Sequence, residues 1–212
     1  MRRAIVLPGM LLSAALVASA VPEVRHSILR SFGWALVASD ALAKTDVIVI
    51  SADARGAGVL EAADLVHTGL AQRVAVFRLP SNPVGRELAR RGVAVPDSTA
   101  SAVLLLHELG IDRVELIPWP VAGTEDEGRI LRRWCAAEAI HSIVFVSTSD
   151  HSRRTRRVLD RALGPDGVRV TVRYSRYSDF DPDKWWQSRD GQRTQVVESQ
   201  KLLFDLLLHP FS

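Results

Sequence analysis

The chain has 212 residues, of which 47% are hydrophobic and 24% are charged. This composition is typical of one globular domain and excludes a disordered chain. Its single cysteine, Cys135, excludes an internal disulfide and a thiolate zinc site, and the six histidines show no H-E-x-x-H spacing, so no metal site is predicted. The net charge of +3 is too small to indicate nucleic-acid binding.

The N-terminal segment predicts export. Arg2 and Arg3 precede residues 4–22, which carry no charge. As a helix, this stretch would extend about 28 Å, close to the roughly 30 Å hydrocarbon core of a bilayer. Residues 1–22 are therefore interpreted as a signal peptide, with a small-residue cleavage site at 18–20, or as a single transmembrane anchor. A buried soluble helix is disfavoured because no polar face recurs with a 3.6-residue period.

After a connector at residues 23–44, residues 45–212 form the predicted domain. Short apolar runs alternate there with helix-length segments, which is typical of an α/β fold with a mostly parallel sheet of about five strands. The first four strands are rich in Val and Ile, as expected of strands buried on both faces, whereas the fifth alternates strictly and predicts an edge strand. The strands are predicted at 46–50, 73–77, 114–117, 142–147 and 168–174.

Capping signals predict helices between these strands. Thr124 and Glu127 fit a Thr-x-x-Glu capping box, and Ser149 or Asp150 is expected to open the helix before the last strand. The helices are predicted at 58–70, 98–109, 124–139, 150–163 and 193–208, with a short helix after 181–183 that carries Trp185 and Trp186. The two tryptophans either stack on a sugar or a base or, as we favour, seal an edge of the core.

The loops that leave the carboxyl ends of parallel strands share one edge of the sheet, where ligands of α/β proteins bind. Loops 51–58, 118–124 and 147–151 are therefore expected to converge. His151 suits proton transfer and Arg154, one turn later, suits an anion, with Asp126 as a carboxylate that orients His151 or acts as a base. The predicted catalytic residues are His151 and Asp126, and the predicted ligand-binding residues are Ser51, Asp53, Thr124, Glu127, Thr148, Ser149 and Arg154.

Structural roles compete with these functional ones. Thr124 and Glu127 are equally compatible with pure capping, and Asp53 with a hydrogen bond inside its own turn. Between His151 and Arg176 the sequence holds eight arginines. These could face anionic lipid or cell-wall polymer, or could form a solvated helix face together with His151 and Arg154.

Several passages together resemble the bacterial domain of unknown function shared by YdcF, SanA and ElyC. They are residues 46–50, Thr124-Glu125-Asp126-Glu127, residues 145–154, residues 185–189 and residues 198–201. The most specific is Thr148-Ser149-x-His151-x-x-Arg154 directly after a strand. The resemblance covers residue 40 to the end and implies a three-layer α/β/α Rossmann-like sandwich, preceded by the hydrophobic helix. It also implies a role in the cell envelope, in the inner membrane with an extracytoplasmic domain or, if the leader is cleaved, in the periplasm or medium.

The sequence departs from the family where glycines would follow the first strand. Residues 51–58 read Ser-Ala-Asp-Ala-Arg-Gly-Ala-Gly, and the Cβ atoms weaken a phosphate cradle. Two functions are therefore predicted. One is an envelope protein that binds or processes a small anionic ligand, bearing a phosphate or a carboxylate. The other is a non-catalytic binding or scaffolding member for a nucleotide or S-adenosylmethionine type of ligand. No cofactor is assigned, and nucleic acid is not an expected partner.

Overall fold

The structure, a computed structural model, describes residues 21–80, 83–95 and 97–210. Within these residues, five parallel strands form one sheet in the order β3-β2-β1-β4-β5. This α/β architecture is that of a Rossmann-like sandwich, as predicted. The strands are β1 (Val47–Ile50), β2 (Val74–Arg78), β3 (Val114–Pro120), β4 (Ser142–Ser147) and β5 (Arg169–Tyr174).

Helices connect the strands in the order expected for parallel crossovers. The described helices are α1 (Pro22–Trp34), α2 (Arg55–His67), α3 (Pro83–Arg90), α4 (Ser98–Glu108), α5 (Thr124–Ala137), α6 (Ser152–Leu163) and α7 (Arg189–Leu208). The sequence did not predict α3, and the short helix at the tryptophans is one 3₁₀ turn, Trp185–Gln187. Asp97 caps α4, because its carboxylate accepts a hydrogen bond from Thr99 N at 2.9 Å.

Each face of the sheet carries its own hydrophobic core. Helices α5 and α6 cover one face, where Trp134 and Leu159 pack with Phe145 of β4. Helices α2 and α4 cover the other face, where Val59 and Leu106 pack with central strand residues. The predicted burial of the two central runs is confirmed, since Val47, Ile48, Val49, Ile143, Val144 and Phe145 are all at most 1% exposed.

The two outer strands differ in how well the sequence described them. The fifth strand is an edge strand, as its alternating pattern predicted. The prediction that the third strand is buried on both faces is wrong. It is the opposite edge of the sheet, and Leu116 is 46% exposed because only β2 pairs with this strand.

The predicted leader lies outside the described residues, except for Val21 and Pro22. No described helix combines the length and the apolar character needed to cross a membrane. The predicted connector forms α1 and a segment that contacts the sheet. The Trp185 indole donates to Leu29 O at 2.7 Å, and Val172 N donates to Asp40 Oδ2 at 2.7 Å.

The arginine-rich stretch is used for internal contacts. Arg153 donates to the carbonyls of Ala35 and Val37, which follow α1. The other seven arginines also have partners: Arg154 with Glu198, Arg156 with Asp40, Arg157 and Arg161 with Asp205, Arg169 with Lys44 O, and Arg173 and Arg176 with Glu61. The stretch therefore joins α1, α2 and α7 to the sheet. Trp185 packs against Leu36, Phe180 and Leu202, which fits the sealing role.

Candidate functional site

The candidate site lies where the sheet order reverses. β2 and β3 continue on one side of β1, whereas β4 and β5 lie on the other. A crevice therefore forms between the loops that leave β1 and β4, which is where ligands of open α/β sheets bind. Ser51 N donates to Val146 O at 2.9 Å, so the two strand ends are joined at the floor of this crevice.

Glu127 on α5 reaches the β1 end of the crevice. It is only 1% exposed, and its Oε1 accepts hydrogen bonds from Ser51 Oγ at 2.9 Å and Ala52 N at 2.8 Å. Among the described residues its Oε2 has no hydrogen-bond partner. Burial outweighs the two hydrogen bonds and raises the pKa of Glu127 to about 7. A carboxyl group at the switch point therefore changes its charge near neutral pH.

The predicted capping box is wrong. Thr124 is the first helical residue of α5 and the N-cap is Gly123, whose φ of +133° is almost restricted to glycine. The N-cap makes no side-chain hydrogen bond, and Glu127 turns toward the β1 loop instead of back to the helix start. Glu127 therefore contacts the loop after β1 and is not part of a cap. Thr124 is buried at the start of the helix.

His151, at the N-cap of α6, is held by a glutamate from the last helix. Its Nδ1 lies 2.7 Å from Oε2 of Glu198, which is 5% exposed. Although burial disfavours the charged imidazolium, the hydrogen bond with Glu198 raises the pKa of His151. The ring then directs Nε2 toward two further carboxylates, 3.5 Å from Asp150 Oδ2 and 4.0 Å from Asp53 Oδ2.

The predicted partner of His151, Asp126, has other contacts. Its carboxylate accepts hydrogen bonds from Arg129 and from Ala122 N, and the bond from Arg129 lowers the pKa of Asp126. The structure gives the orienting position to Glu198 instead. The sequence showed Glu198 only as part of the tail passage of the resemblance, because a contact across 47 residues leaves no local pattern.

Arg154 and Lys201 surround Glu198. Arg154 Nη2 lies 3.6 Å from Glu198 Oε2, and Lys201 Nζ lies 2.6 Å from Oε1. Burial would raise the pKa of Glu198, but the hydrogen bonds from His151 and Lys201 lower it. Arg154 is therefore already next to a carboxylate, although its Nε has no hydrogen-bond partner in the described part of the chain.

The other two residues predicted from the β4 loop differ from each other. Ser149 Oγ donates to Phe180 O at 2.7 Å, and Ser149 N donates to Ser178 Oγ, so Ser149 anchors the loop after β5. It does not cap α6, which begins at Ser152. Thr148 Oγ1, in contrast, is buried without a hydrogen-bond partner among the residues described.

A cleft of about 750 Å³ extends from the crevice across the carboxyl ends of β1 and β2. Ser51, Asp53 and Arg55 line it together with the starts of α4 and α5. Ala54 and Gly123, the N-caps of α2 and α5, make no side-chain hydrogen bond to the first helical N–H groups. Two helix starts with partial positive charge therefore lie on this cleft.

No protein-family model matches this chain, and no curated protein matches its sequence. The resemblance to the YdcF, SanA and ElyC domain stays a prediction. The fold and the crevice define a Rossmann-like α/β protein with a candidate ligand-binding site at the point where its strand order reverses.

Proposed function

We propose that the protein binds a small anionic ligand, bearing a phosphate or a carboxylate, in the cleft at the carboxyl edge of the sheet and transfers a proton to or from it. The observation that carries the proposal is the buried carboxyl of Glu127, with one oxygen unpartnered among the described residues and the other bonded to Ser51 in the cleft wall. Buried titratable groups of this kind are concentrated at functional sites.

The cleft favours negative charge on the ligand. The starts of α2 and α5 offer backbone N–H groups and the positive end of each helix dipole. Arg55, the first residue of α2, lines the same cleft and adds a full positive charge. Its φ of +43° is an uncommon conformation for a residue with a side chain, and such conformations are concentrated at binding sites.

Proton transfer would proceed through a serine relay. Ser51 Oγ lines the cleft and donates its hydrogen bond to Glu127 Oε1. A hydroxyl group or a water molecule beside Ser51 can give its proton to Ser51 while Ser51 passes its own proton to the Glu127 carboxylate. Because the pKa of Glu127 is about 7, the group can accept and return a proton near neutral pH.

The pair of His151 and Glu198 supplies the second polar group. Glu198 fixes the imidazole, so Nε2 lies on the crevice side near Asp53, a residue of the cleft wall. In its protonated form His151 can donate a hydrogen bond to an oxygen of the ligand. A location in the cell envelope belongs to the same proposal, and the uncharged stretch 4–22 and the family resemblance support it.

Thermal-shift measurements on the full chain test the binding step. Nucleotides, S-adenosylmethionine and isoprenoid phosphates are added in turn, and a ligand of the native state raises the melting temperature by mass action. We expect at least one of these anions to raise it. The absence of a shift with every one of them would contradict the proposal.

Turnover of the bound ligand tests the chemistry. Glu127→Gln should keep binding and lose about 10²- to 10⁴-fold in rate, the usual size of a general acid–base contribution. Glu125→Gln is the matched control, since Glu125 is an exposed carboxylate in the same helical turn. Binding without turnover in the unmodified protein would contradict catalysis and favour the non-catalytic binding protein.

A reporter domain fused after Ser212 tests the location. The uncharged N-terminal stretch predicts that the reporter lies outside the cytoplasm. Reporter activity in the cytoplasm would contradict the envelope part of the proposal and leave the ligand site unaffected.

A further inference from the structure

Three potential metal ligands meet where the loops after β1 and β4 approach each other. His151 Nε2 lies 3.5 Å from Asp150 Oδ2 and 4.0 Å from Asp53 Oδ2. Glu198 lies beside them, and atoms of Asp150, His151 and Glu198 all lie within 4.8 Å of one another. Among the described residues, Asp150, His151 and Glu198 form the group that has the spacing of a metal site, and Asp53 lies beside it.

The distances between these atoms suit a bound cation. An ion about 2.0 to 2.2 Å from each donor places neighbouring donors roughly 3 to 3.6 Å apart. Asp150 Oδ2 already has this spacing to His151 Nε2, whereas Asp53 Oδ2, at 4.0 Å from Nε2, has to move closer to become a ligand. Its side chain is 54% exposed, so it can adjust without disturbing the core.

Glu198 occupies the position typical of a carboxylate behind a metal-bound histidine. It accepts a hydrogen bond from Nδ1, so Nε2 faces Asp53 and Asp150 and offers a lone pair to a metal ion once the ion displaces its proton. Carboxylates in this position fix the tautomer and the orientation of metal-binding histidines. The site therefore has both a set of donors and the support that such donors usually require.

A separate observation points to a missing positive charge. Glu127 is buried, yet the two partners of its Oε1, Ser51 and Ala52 N, are uncharged, and its Oε2 has no partner within the described residues. Glu127 lies close enough to Asp53 and His151 for their charges to act on it. A buried carboxylate without a cation is costly, and a cation bound by His151 would compensate it.

We propose that a divalent metal ion of the Zn²⁺ or Mn²⁺ type binds between Asp53 Oδ2, Asp150 Oδ2 and His151 Nε2, with Glu198 orienting the histidine. Mixed imidazole and carboxylate donors suit these ions. Three protein donors leave at least one coordination position for an oxygen of a ligand. The positive charge of the ion would also offset the repulsion between an anionic ligand and the carboxylates at the crevice. Only this last role rests on the proposed function, because the site itself does not depend on it.

The test is calorimetric titration of the full chain with ZnCl₂ and with MnCl₂ in a buffer free of chelators and phosphate. We expect a single site in the unmodified protein. Asp150→Asn and His151→Gln should each weaken binding by at least about 10-fold, and Glu198→Gln by about 10- to 100-fold. His107→Gln and Asp190→Asn are matched controls at exposed positions, and both should bind as the unmodified protein does.

Two measurements keep the proposal falsifiable if a buried variant fails to fold. Asp53→Asn changes an exposed side chain and should still weaken binding. Imidazole nitrogen NMR of the unmodified protein with Zn²⁺ should shift Nε2 of His151 and leave the signals of His107 unchanged. The absence of a saturable site, or equal losses in the site and control variants, would overturn the proposal. Because the probe is the metal alone, such a result would not contradict the proposed anion binding. In the same way, an anion screen without any thermal shift would not contradict the metal site.

Discussion

Two glutamates are completely buried, one on each side of the sheet, and their surroundings differ. Glu61 on α2 is 0% exposed and accepts hydrogen bonds from the guanidinium groups of Arg173 and Arg176 at 2.9 and 3.2 Å. Glu127 on α5 is 1% exposed, and within the described residues it accepts hydrogen bonds only from Ser51 and the backbone of Ala52. The first carboxylate is neutralised by two cations, whereas the second has none among its hydrogen-bond partners.

The difference distinguishes a carboxylate with structural contacts from one that fits the proposed function. Glu61 joins α2 to the end of β5 and to the residues after it, and both of its oxygens are bonded. Glu127 keeps an unpartnered oxygen within the described part of the chain and titrates near neutral pH because burial is not balanced by a cation. Burial alone therefore does not distinguish the two carboxylates, whereas the charge of their partners does.

The largest expected effect comes from Glu61→Gln. Removing one partner of a buried ion pair leaves an uncompensated charge and costs about 3 kcal/mol, the lower end of the usual range because Arg173 and Arg176 stay partly exposed. Urea denaturation of the unmodified protein and the variant measures this loss. Asp112→Asn, at an exposed position, is the control. A loss in the free energy of unfolding no larger than that of the control would mean that the ion pairs of Glu61 do not stabilise the fold.

Glu127→Gln should have a smaller effect that depends on pH. The folded-state pKa of about 7 lies above the ordinary glutamate value of 4.5, so the folded protein binds the extra proton, and stability falls as pH rises from about 4.5 to about 7. The glutamine is neutral throughout and lacks this fall. The variant should therefore gain about 2 kcal/mol on the unmodified protein between about pH 5 and pH 8.

Urea denaturation at the two pH values, with EDTA present, measures this gain. The chelator prevents a bound cation from compensating Glu127. The exposed Glu125→Gln should follow the unmodified protein at both pH values. Parallel pH dependences for Glu127→Gln and the unmodified protein would contradict the raised pKa of Glu127.

The same contrast shows what the sequence could predict. β4 was predicted from Ser142 to Ser147, which are its observed ends, because an uninterrupted apolar run needs cover on both faces. Thr124 and Glu127 match a capping box just as closely, and that prediction failed. The outcome depended on Ser51, 76 residues earlier, which offers Glu127 a closer partner. Local patterns describe elements well, and they do not show which side chains from distant elements will meet.

The site residues also differ in how well local sequence patterns predicted their positions. His151, Asp53 and Glu127 lie at the edge of the sheet where the sequence predicted them, because each follows a strand or stands near the start of a helix. Glu198 was missed as the partner of His151, since it lies in the middle of α7 with Lys201 one turn later and resembles an ordinary surface ion pair. The third helix was missed because its sequence, Pro-Val-Gly-Arg-Glu-Leu-Ala-Arg, is short and half charged or glycine.

Close packing next to the two glutamates offers a third comparison. A Cβ atom at Gly58, on the helix of Glu61, would lie 2.6 Å from both Ile50 Cγ2 and Ala54 Cβ. A Cβ atom at Gly128, next to Glu127, would meet Ala162 Cβ at 3.0 Å and Val158 Cγ1 at 3.1 Å. Gly58→Ala should thus cost about 1 to 2 kcal/mol by overpacking.

Gly128→Ala should change stability little, because a helix propensity gain of up to about 1 kcal/mol offsets the milder crowding. Thermal melts of the two variants measure the difference. A larger loss for Gly128→Ala would mean that α5 is packed more rigidly than α2, and that the position of Glu127 is held as tightly as that of Glu61.

The helix starts around the cleft differ in their capping. The start of α4 is occupied by the carboxylate of Asp97, whose Oδ1 accepts from Thr99 N, whereas Ala54 and Gly123 make no such hydrogen bond at the starts of α2 and α5. Asp97→Ala should cost about 1 kcal/mol and lower the melting temperature by about 2–4 °C.

If the anion binds at the open starts of α2 and α5, the affinity for an anion found in the thermal-shift screen should not fall in this variant. Removing Asp97 also removes a negative charge next to Ser98 and Thr99 of the cleft wall, so a modest gain in affinity for the anion would agree with binding at the starts of α2 and α5. A loss of affinity larger than the loss of stability would place the anion at α4 and would separate the ligand from Glu127.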